Sequence, residues 1–253
     1  MESLMGLQSQ LDKEDIMNRA VMAVYQNVVE VMKENFHIYS DFVFERAMDA
    51  ALRPVDVQII DELGKEKEGK KGLMHNYAKV KLDLKIDGIK NIVLNTDTFS
   101  QKIEGTNLLS AMAENMGPHF LKYAEHMIKI IKELILIKYS KEMRGNMVDC
   151  CKFLVSSGTN QEQKYAILSQ IEGSLDSALE KAIKFRDHDD VCSITEALSI
   201  MMPSMDERMK QALPLKMKAV MGMVSSLVGD IEKIYSEKDM DDDLTEEMNN
   251  EIE

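Results

Sequence analysis

The spacing of apolar residues divides most of this chain into helices joined by turns of a few residues. Over residues 14–34 apolar side chains recur every three or four positions, as expected for one face of a helix: Ile16, Ala20, Ala23, Val24, Val28, Val31 and Met32. The pattern then repeats and predicts four helix pairs, at about 14–53, 98–139, 140–186 and 187–236. Two-helix units of roughly 40 to 50 residues are typical of HEAT and armadillo solenoids.

Local signals set the limits of these helices. Ser40 is a plausible N-cap, and Thr98 with Gln101 forms a possible capping box. Gly117-Pro118 separates the helices of the second pair, and Pro203 and Pro214 divide and kink the last. With only 4 prolines and 12 glycines in 253 residues, few positions interrupt a helix.

The second helix of the second pair is apolar around more than half of its circumference, so it needs cover on both flanks. Its apolar residues are Phe120, Leu121, Ala124, Ile128, Ile131, Leu134 and Ile135. Stacked neighbours supply such cover. We therefore predict an all-α HEAT-repeat solenoid over residues 1–236, and the alternative is two separate helical bundles.

Two segments depart from the helical pattern. Residues 61–71 are charged and predict a mobile loop, after which apolar and polar residues alternate on both sides of Asp87-Gly88. This is a strong β-hairpin signal, so a loop and an exposed hairpin are predicted as an insert at about 61–95. Residues 237–253 are rich in Asp and Glu and predict a disordered tail.

The net charge and the cysteine content indicate which binding partners and which cellular compartment to expect. A net charge of −13, with 44 acids against 31 bases, argues against nucleic-acid binding and suits basic partners. The three cysteines form no CxxC pair, so a reducing compartment is expected. No apolar run reaches transmembrane length, and residues 1–3 carry no secretion signal, so we expect a soluble intracellular protein with no membrane partner.

No set of residues predicts catalysis, a cofactor or a metal. Glu34 and His37 form one ExxH match, whereas di-iron helices need two. His119 and His126 are seven residues apart, not the four that place two ligands on one metal. His188-Asp189-Asp190 is explained by the preference for acids at a helix start. We expect no enzyme activity, and a metalloenzyme is the most distant alternative.

An acidic row is the most informative surface feature. Asp41, Glu45 and Asp49 lie one turn apart on one helix face, and Asp176 and Glu180 repeat the spacing. If these helices line the concave side of a solenoid, the carboxylates are candidates for binding Lys and Arg of an extended partner. A merely solvated helix face is the alternative.

Short motifs occur in a fixed order along nearly the whole chain. They are Glu34-Asn35-Phe36 with Tyr39, Arg53-Pro54-Val55, Val57-Gln58-Ile59-Ile60-Asp61, Gly88-Ile89-Lys90, Lys102 with Leu108-Leu109 and Ala113, Phe120 with Tyr123 and Glu125, and Lys138-Tyr139 with Met143-Arg144. In these motifs the chain resembles the importin-beta (karyopherin-beta) family, closest to the importin beta-three type. The family's receptors are several times longer, so the resemblance implies a central fragment.

The resemblance also implies a function. Such receptors carry basic cargo, such as ribosomal proteins or histones, from cytoplasm to nucleus, pass FG nucleoporins and release cargo when Ran-GTP binds. The repeats that bind the Ran GTPase would lie outside this chain. The alternative from another class is a HEAT-repeat scaffold or regulatory subunit with no transport role.

Overall fold

A computed structural model describes residues 1–12, 15–55, 57–60, 77–84 and 88–250, with backbone only for 57–60, 77–84, 88–94 and 232–250. The chain divides into two compact units, Met1–Met205 and Asp206–Glu253. The described part of the first unit contains eight α-helices: α1 Glu2–Gln10, α2 Met17–Met32, α3 Ser40–Leu52, α4 Thr96–Asn115, α5 Ala124–Leu134, α6 Lys141–Ser157, α7 Gln161–Phe185 and α8 His188–Met201. Short 3₁₀ helices occupy Lys33–Ile38, Gly117–Tyr123 and Met202–Ser204.

The helices of the first unit form two layers. In the first layer α2 packs on α4, α4 on α6 and α6 on α8; in the second, α5 packs on both α3 and α7. Each second-layer helix also contacts the first-layer helix that follows it in sequence, as α3 does α4 and α7 does α8. The helices thus form a continuous stack of antiparallel pairs and not two bundles. This agrees with the sequence analysis, which predicts that α5 is covered by neighbouring helices on both flanks.

Helix starts agree with the sequence in some places and not in others. Ser140, Asn160 and Asp187 cap α6, α7 and α8, each accepting a backbone N–H three residues on. Ser40 is not an N-cap, because the preceding 3₁₀ helix runs up to Tyr39 and leaves Ser40 as the first helical residue. Its hydroxyl donates instead to the His37 carbonyl at 2.7 Å.

The predicted capping box at Thr98 and Gln101 is also wrong. Asn95 caps α4, its Oδ1 accepting the N–H groups of Asp97 and Thr98, so the helix begins earlier. The Gln101 side chain turns into the core and donates to the Asp15 carbonyl at 3.1 Å. The expected helix at 118–139 is shorter as well: a 3₁₀ helix precedes α5, which ends at Leu134.

At the α3–α4 contact the two backbones approach closely. A Cβ on Gly105 would lie 2.8 Å from the Ala47 carbonyl oxygen and 2.9 Å from the Ala51 nitrogen. Beside it, the buried Lys102 donates to the Arg53 carbonyl at 3.1 Å, just past the end of α3. Burial lowers the pKa of Lys102, and Glu133 partly offsets this effect.

The α6–α8 contact is held by charge. Arg144 Nε donates to Asp190 at 2.5 Å, and its Nη2 donates to Asp187 at 3.0 Å. Arg144 Nη1 also donates to the Ile137 carbonyl at 3.2 Å. Lys141 pairs with Asp187 and Asp189 at the more exposed edge. Burial raises the pKa of Asp190, and the hydrogen bond from Arg144 opposes that rise.

Three strands lie between α3 and α4 in sequence: β1 Val57–Ile60, β2 Tyr77–Leu84 and β3 Gly88–Asn95. They form an antiparallel sheet in the order β1-β3-β2. β2 and β3 pair from Tyr77↔Asn95 to Leu84↔Gly88, in the segment for which the sequence predicts a hairpin. The sequence analysis does not predict β1. Asp87 of the predicted turn and the charged loop at 61–71 lie outside the described residues.

The second unit is built on one long helix, α9 Glu207–Asn250, which contains Pro214. The sequence predicts an end near 236 and a disordered tail at 237–253, whereas the helical backbone continues to Asn250. Within the described residues, no helix combines the length and the apolar character needed to cross a membrane.

Candidate partner-binding surface

The acidic row predicted from the sequence lies on the solvent side of α3. Its opposite face is buried, through Val43, Phe44, Ala47, Ala50 and Ala51. Asp41 and Glu45 are exposed and Asp49 is half-buried. The carboxylates therefore share one helix face, about 6 Å apart per turn given the rise of about 1.5 Å per residue.

Asp41 is already engaged by the second helix pair. Lys122 Nζ lies 2.6 Å from Asp41 Oδ1. The Tyr123 hydroxyl donates to the same oxygen at 2.6 Å and also lies 2.8 Å from the Ser40 hydroxyl. The hydrogen bonds from Lys122 and then Tyr123 lower the pKa of Asp41. The Asp41 side chain is still 80% exposed, so water and salt screen the pair and an incoming cation can displace it.

Aromatic packing fixes the position of Tyr123. The Phe44 ring stacks on the Tyr123 ring with centroids 4.0 Å apart and planes 9° apart. Burial raises the pKa of Tyr123, so its hydroxyl stays protonated and able to donate at neutral pH. Asp41 thus accepts hydrogen bonds from two side chains of the second helix pair. Its partners are more than 80 residues away in sequence, so no local pattern could have identified them.

The second acidic pair lies on α7, where Asp176 is half-buried and Glu180 exposed. α5 packs between α3 and α7, so the two acidic rows do not adjoin. On α5 the exposed residues include Lys129 and Lys132 as well as acids. The two candidate rows named in the sequence analysis therefore lie on separate helices with α5 between them. Asp41, Glu45 and Asp49 form one row, and Asp176 and Glu180 form another.

The histidines that the structure describes do not assemble with acids into a metal centre. His37 and His119 stack with ring centroids 4.4 Å apart, and His37 Nδ1 lies 2.9 Å from the Glu34 carbonyl oxygen. His126 contacts the edge of Phe44. Among the described residues, no group of three or more His, Cys, Asp or Glu side chains is arranged to hold a metal ion.

Two of the three cysteines are buried. Cys150 and Cys151 are buried in α6, and burial raises the pKa of both thiols well above the ordinary value. Since the thiolate is the reactive form, both are unreactive at neutral pH. Cys192 is exposed on α8.

Comparison with known proteins identifies the fold. No protein-family model and no curated protein matches the chain. The crystal structure of Kap121p bound to Pho4p matches 85% of this chain, with a TM-score of 0.64 and 15% identity. Kap121p alone matches 92% of it, with a TM-score of 0.51 and 16% identity. Kap121p bound to RanGTP matches 87%, with a TM-score of 0.50 and 16% identity.

The chain spans only a fifth to a quarter of the solved structures that it matches, 20%, 25% and 23% of their lengths respectively. At this level of identity the likeness shows the fold and not the partners. The fold is a HEAT-like helical stack of the karyopherin-beta type.

Proposed function

We propose that this chain is part of a nuclear transport receptor of the karyopherin-beta type, related to the importin beta-three group. In this proposal the chain contributes to binding basic cargo proteins, such as ribosomal proteins or histones. The complete receptor binds the Ran GTPase and FG nucleoporins and moves between cytoplasm and nucleus. The fold likeness supports the proposal, because the matched Kap121p structures include complexes with Pho4p and with RanGTP.

The observation that carries the proposal is the row Asp41, Glu45 and Asp49 on the solvent side of α3 in a stack of this fold. The row has a spacing of about 6 Å per turn. An extended peptide advances about 3.3 Å per residue, so alternate lysines of a bound segment meet successive carboxylates. Each exposed pair contributes little, about 0.2–1 kcal/mol, so the row selects basic segments only through several pairs acting together.

The test is a peptide titration. A labelled peptide with lysine at alternate positions is added to the wild-type chain and to the triple variant Asp41→Asn, Glu45→Gln and Asp49→Asn, and binding is followed by fluorescence anisotropy at low salt. We expect the triple variant to bind several-fold more weakly, with a melting temperature unchanged or slightly raised because repulsion along the row is relieved.

A matched variant separates the row from the general negative charge. Glu30, Glu114 and Glu196 are exposed on α2, α4 and α8, in the other layer. Changing all three to Gln removes the same charge, and we expect it to leave the affinity nearly unchanged. Equal affinities of wild type and α3 variant would mean that this face is only solvated. If the full-length polypeptide binds neither Ran nor FG repeats, the transport proposal is wrong and the alternative, a HEAT-repeat scaffold with no transport role, is favoured.

A further inference from the structure

A lysine of this chain already occupies the first carboxylate of the acidic row on α3. Lys122 Nζ lies 2.6 Å from Asp41 Oδ1 and 4.9 Å from the centre of the Tyr123 ring. A carboxylate accepts charge-assisted hydrogen bonds from an ammonium group, and the face of an aromatic ring attracts the same cation. Asp41 and Tyr123 therefore form an ammonium-binding position, and in this structure the ammonium comes from the second helix pair.

The two groups that form this position are fixed independently of Lys122. Tyr123 is buried, its ring stacks on Phe44 with centroids 4.0 Å apart, and its hydroxyl donates to Asp41 Oδ1 at 2.6 Å. The Ser40 hydroxyl lies 2.8 Å from the same Tyr123 hydroxyl. The ring and the carboxylate thus keep their places if the Lys122 ammonium leaves.

The Lys122 side chain can leave this position at small cost. It is 44% exposed and lies on the 3₁₀ helix Gly117–Tyr123, before α5 begins. The lysine stem is flexible and its ammonium is strongly hydrated, so the side chain can turn into water without movement of the backbone. An exposed ion pair is weak, and the upper end of its usual range corresponds to about a fivefold change in an equilibrium constant. The pair therefore opens when a second cation competes for Asp41.

We propose that Lys122 is an internal competitor for basic partners. Its ammonium occupies Asp41 in the free protein and is displaced when a lysine of an extended basic segment binds there. This rests on the proposed function, because it assumes that the α3 row receives such segments. At Asp41 the exchange replaces one ammonium by another, so little affinity is gained there, and the gain comes from the other carboxylates of the row, such as the exposed Glu45. Lys122 thus lowers the affinity for basic segments, and it does so through Asp41.

The experiment is a double-mutant cycle on peptide binding. The labelled peptide with lysine at alternate positions is titrated at low salt into wild type, Lys122→Met, Asp41→Asn and the double variant. Methionine keeps the apolar stem of lysine and removes the charge. We expect Lys122→Met to strengthen binding by about threefold to fivefold in the wild-type background. In the Asp41→Asn background the same substitution should change the affinity by less than about 1.5-fold, because the competing contact is already absent.

A matched variant separates this contact from the general gain of negative charge. Lys132 is exposed on α5, in the same layer of helices. Lys132→Met removes the same charge as Lys122→Met, and we expect it to change the affinity by less than about 1.5-fold in both backgrounds. If Lys122→Met does not fold, as judged by its melting temperature, Lys122→Gln completes the same cycle with a polar side chain.

Two results would overturn the internal competitor. An equal gain of affinity from Lys122→Met in both backgrounds would show that only the net charge matters, and no gain in either would show that Lys122 does not compete. The triple α3 variant distinguishes this failure from that of the proposed function. If the triple variant binds weakly and Lys122→Met has no effect, the acidic row binds the peptide and only the competitor is wrong. If the triple variant binds like wild type, the row is not the binding site and both proposals are wrong.

Discussion

The α3–α4 contact and the α6–α8 contact join neighbouring helix pairs by different means. At the first, Gly105 lets two backbones meet so closely that a single added carbon would overlap α3. At the second, Arg144 spans the gap and pairs with Asp187 and Asp190. The same stack is thus held by close backbone packing at one position and by ion pairs at the other.

This difference determines what each contact tolerates. A close-packed contact is sensitive to side-chain volume, and the atoms that meet at Gly105 carry no charge. A charged contact accepts changes in volume, but it depends on the protonation of its carboxylates and on complete pairing. The two contacts should therefore fail under different perturbations.

The largest effect is expected at the charged contact. Arg144→Met leaves Asp190, whose side chain is 13% exposed, without its cation and should lower the free energy of unfolding by about 3 kcal/mol. The loss should depend on pH. Burial already raises the pKa of Asp190, and without Arg144 the pKa rises further.

The sign of that pH dependence follows from linkage. A carboxyl with a raised folded-state pKa costs stability as pH rises through that pKa and its ionised form must be buried. The deficit of Arg144→Met should therefore be larger at pH 7 than at pH 5, as measured by urea unfolding. Adding Asp190→Asn should restore part of the stability at pH 7, and an equal deficit at both pH values would contradict a charge-based contact.

The next effect is expected at the close-packed contact. Gly105→Ala should lower the free energy of unfolding by about 2 kcal/mol, since the new Cβ forces α3 and α4 apart. Gly173 in α7 is the matched control, because nothing lies within 4 Å of its Cβ position. Gly173→Ala should stabilise the chain by about 0.5–1 kcal/mol through helix propensity alone. Similar changes at both sites would mean that α3 and α4 adjust freely.

Lys102 is a titrating group beside the close-packed α3–α4 contact. Lys102→Met removes the hydrogen bond to the Arg53 carbonyl and also the burial of a charge, so the opposed effects should leave a net change below about 2 kcal/mol at pH 7. Because burial lowers the pKa of Lys102, the folded state binds fewer protons than the unfolded state as pH approaches the ordinary lysine value. Wild type should therefore gain stability relative to Lys102→Met between pH 8 and pH 10 in parallel denaturant titrations. If the difference in stability between the two proteins does not change with pH, Lys102 has the same pKa in the folded and unfolded states.

The smallest effect is expected at the exposed ion pair between the first two helix pairs. Asp41→Asn should change the free energy of unfolding by less than about 1 kcal/mol, and the difference should shrink further in 0.5 M salt. Thermal unfolding at two salt concentrations measures both. A large, salt-independent loss would place Asp41 among the contacts that hold the pairs together.

The sequence predicts the repeat architecture well because the signal is physical and local. Apolar spacing locates the helices, and Gly117-Pro118 separates the second pair as expected. Polar side chains near helix starts are predicted less well. Ser40, Thr98 and Gln101 each have the right chemistry for capping. Ser40 instead donates to the His37 carbonyl three residues earlier, and Gln101 donates to the Asp15 carbonyl, which only the fold brings near.

The candidate site shows the same limit more sharply. Helical spacing correctly places Asp41 and Glu45 on one exposed face of α3. It does not predict that Lys122 and Tyr123 reach Asp41, or that α5 separates this row from Asp176 and Glu180. Those facts depend on which helices become neighbours, and apolar spacing within single helices does not fix that.

The sheet between α3 and α4 has a practical consequence for protein engineering. β1 leaves the α3 side and β3 enters α4, and these two strands pair directly from Val57↔Leu94 to Ile60↔Asn91. The chain between α3 and α4 therefore leaves the helical stack and returns to it at neighbouring positions. A reporter domain whose own ends lie close together could replace residues 61–90 there, so that a fluorescent sensor is carried by the stack without entering its core.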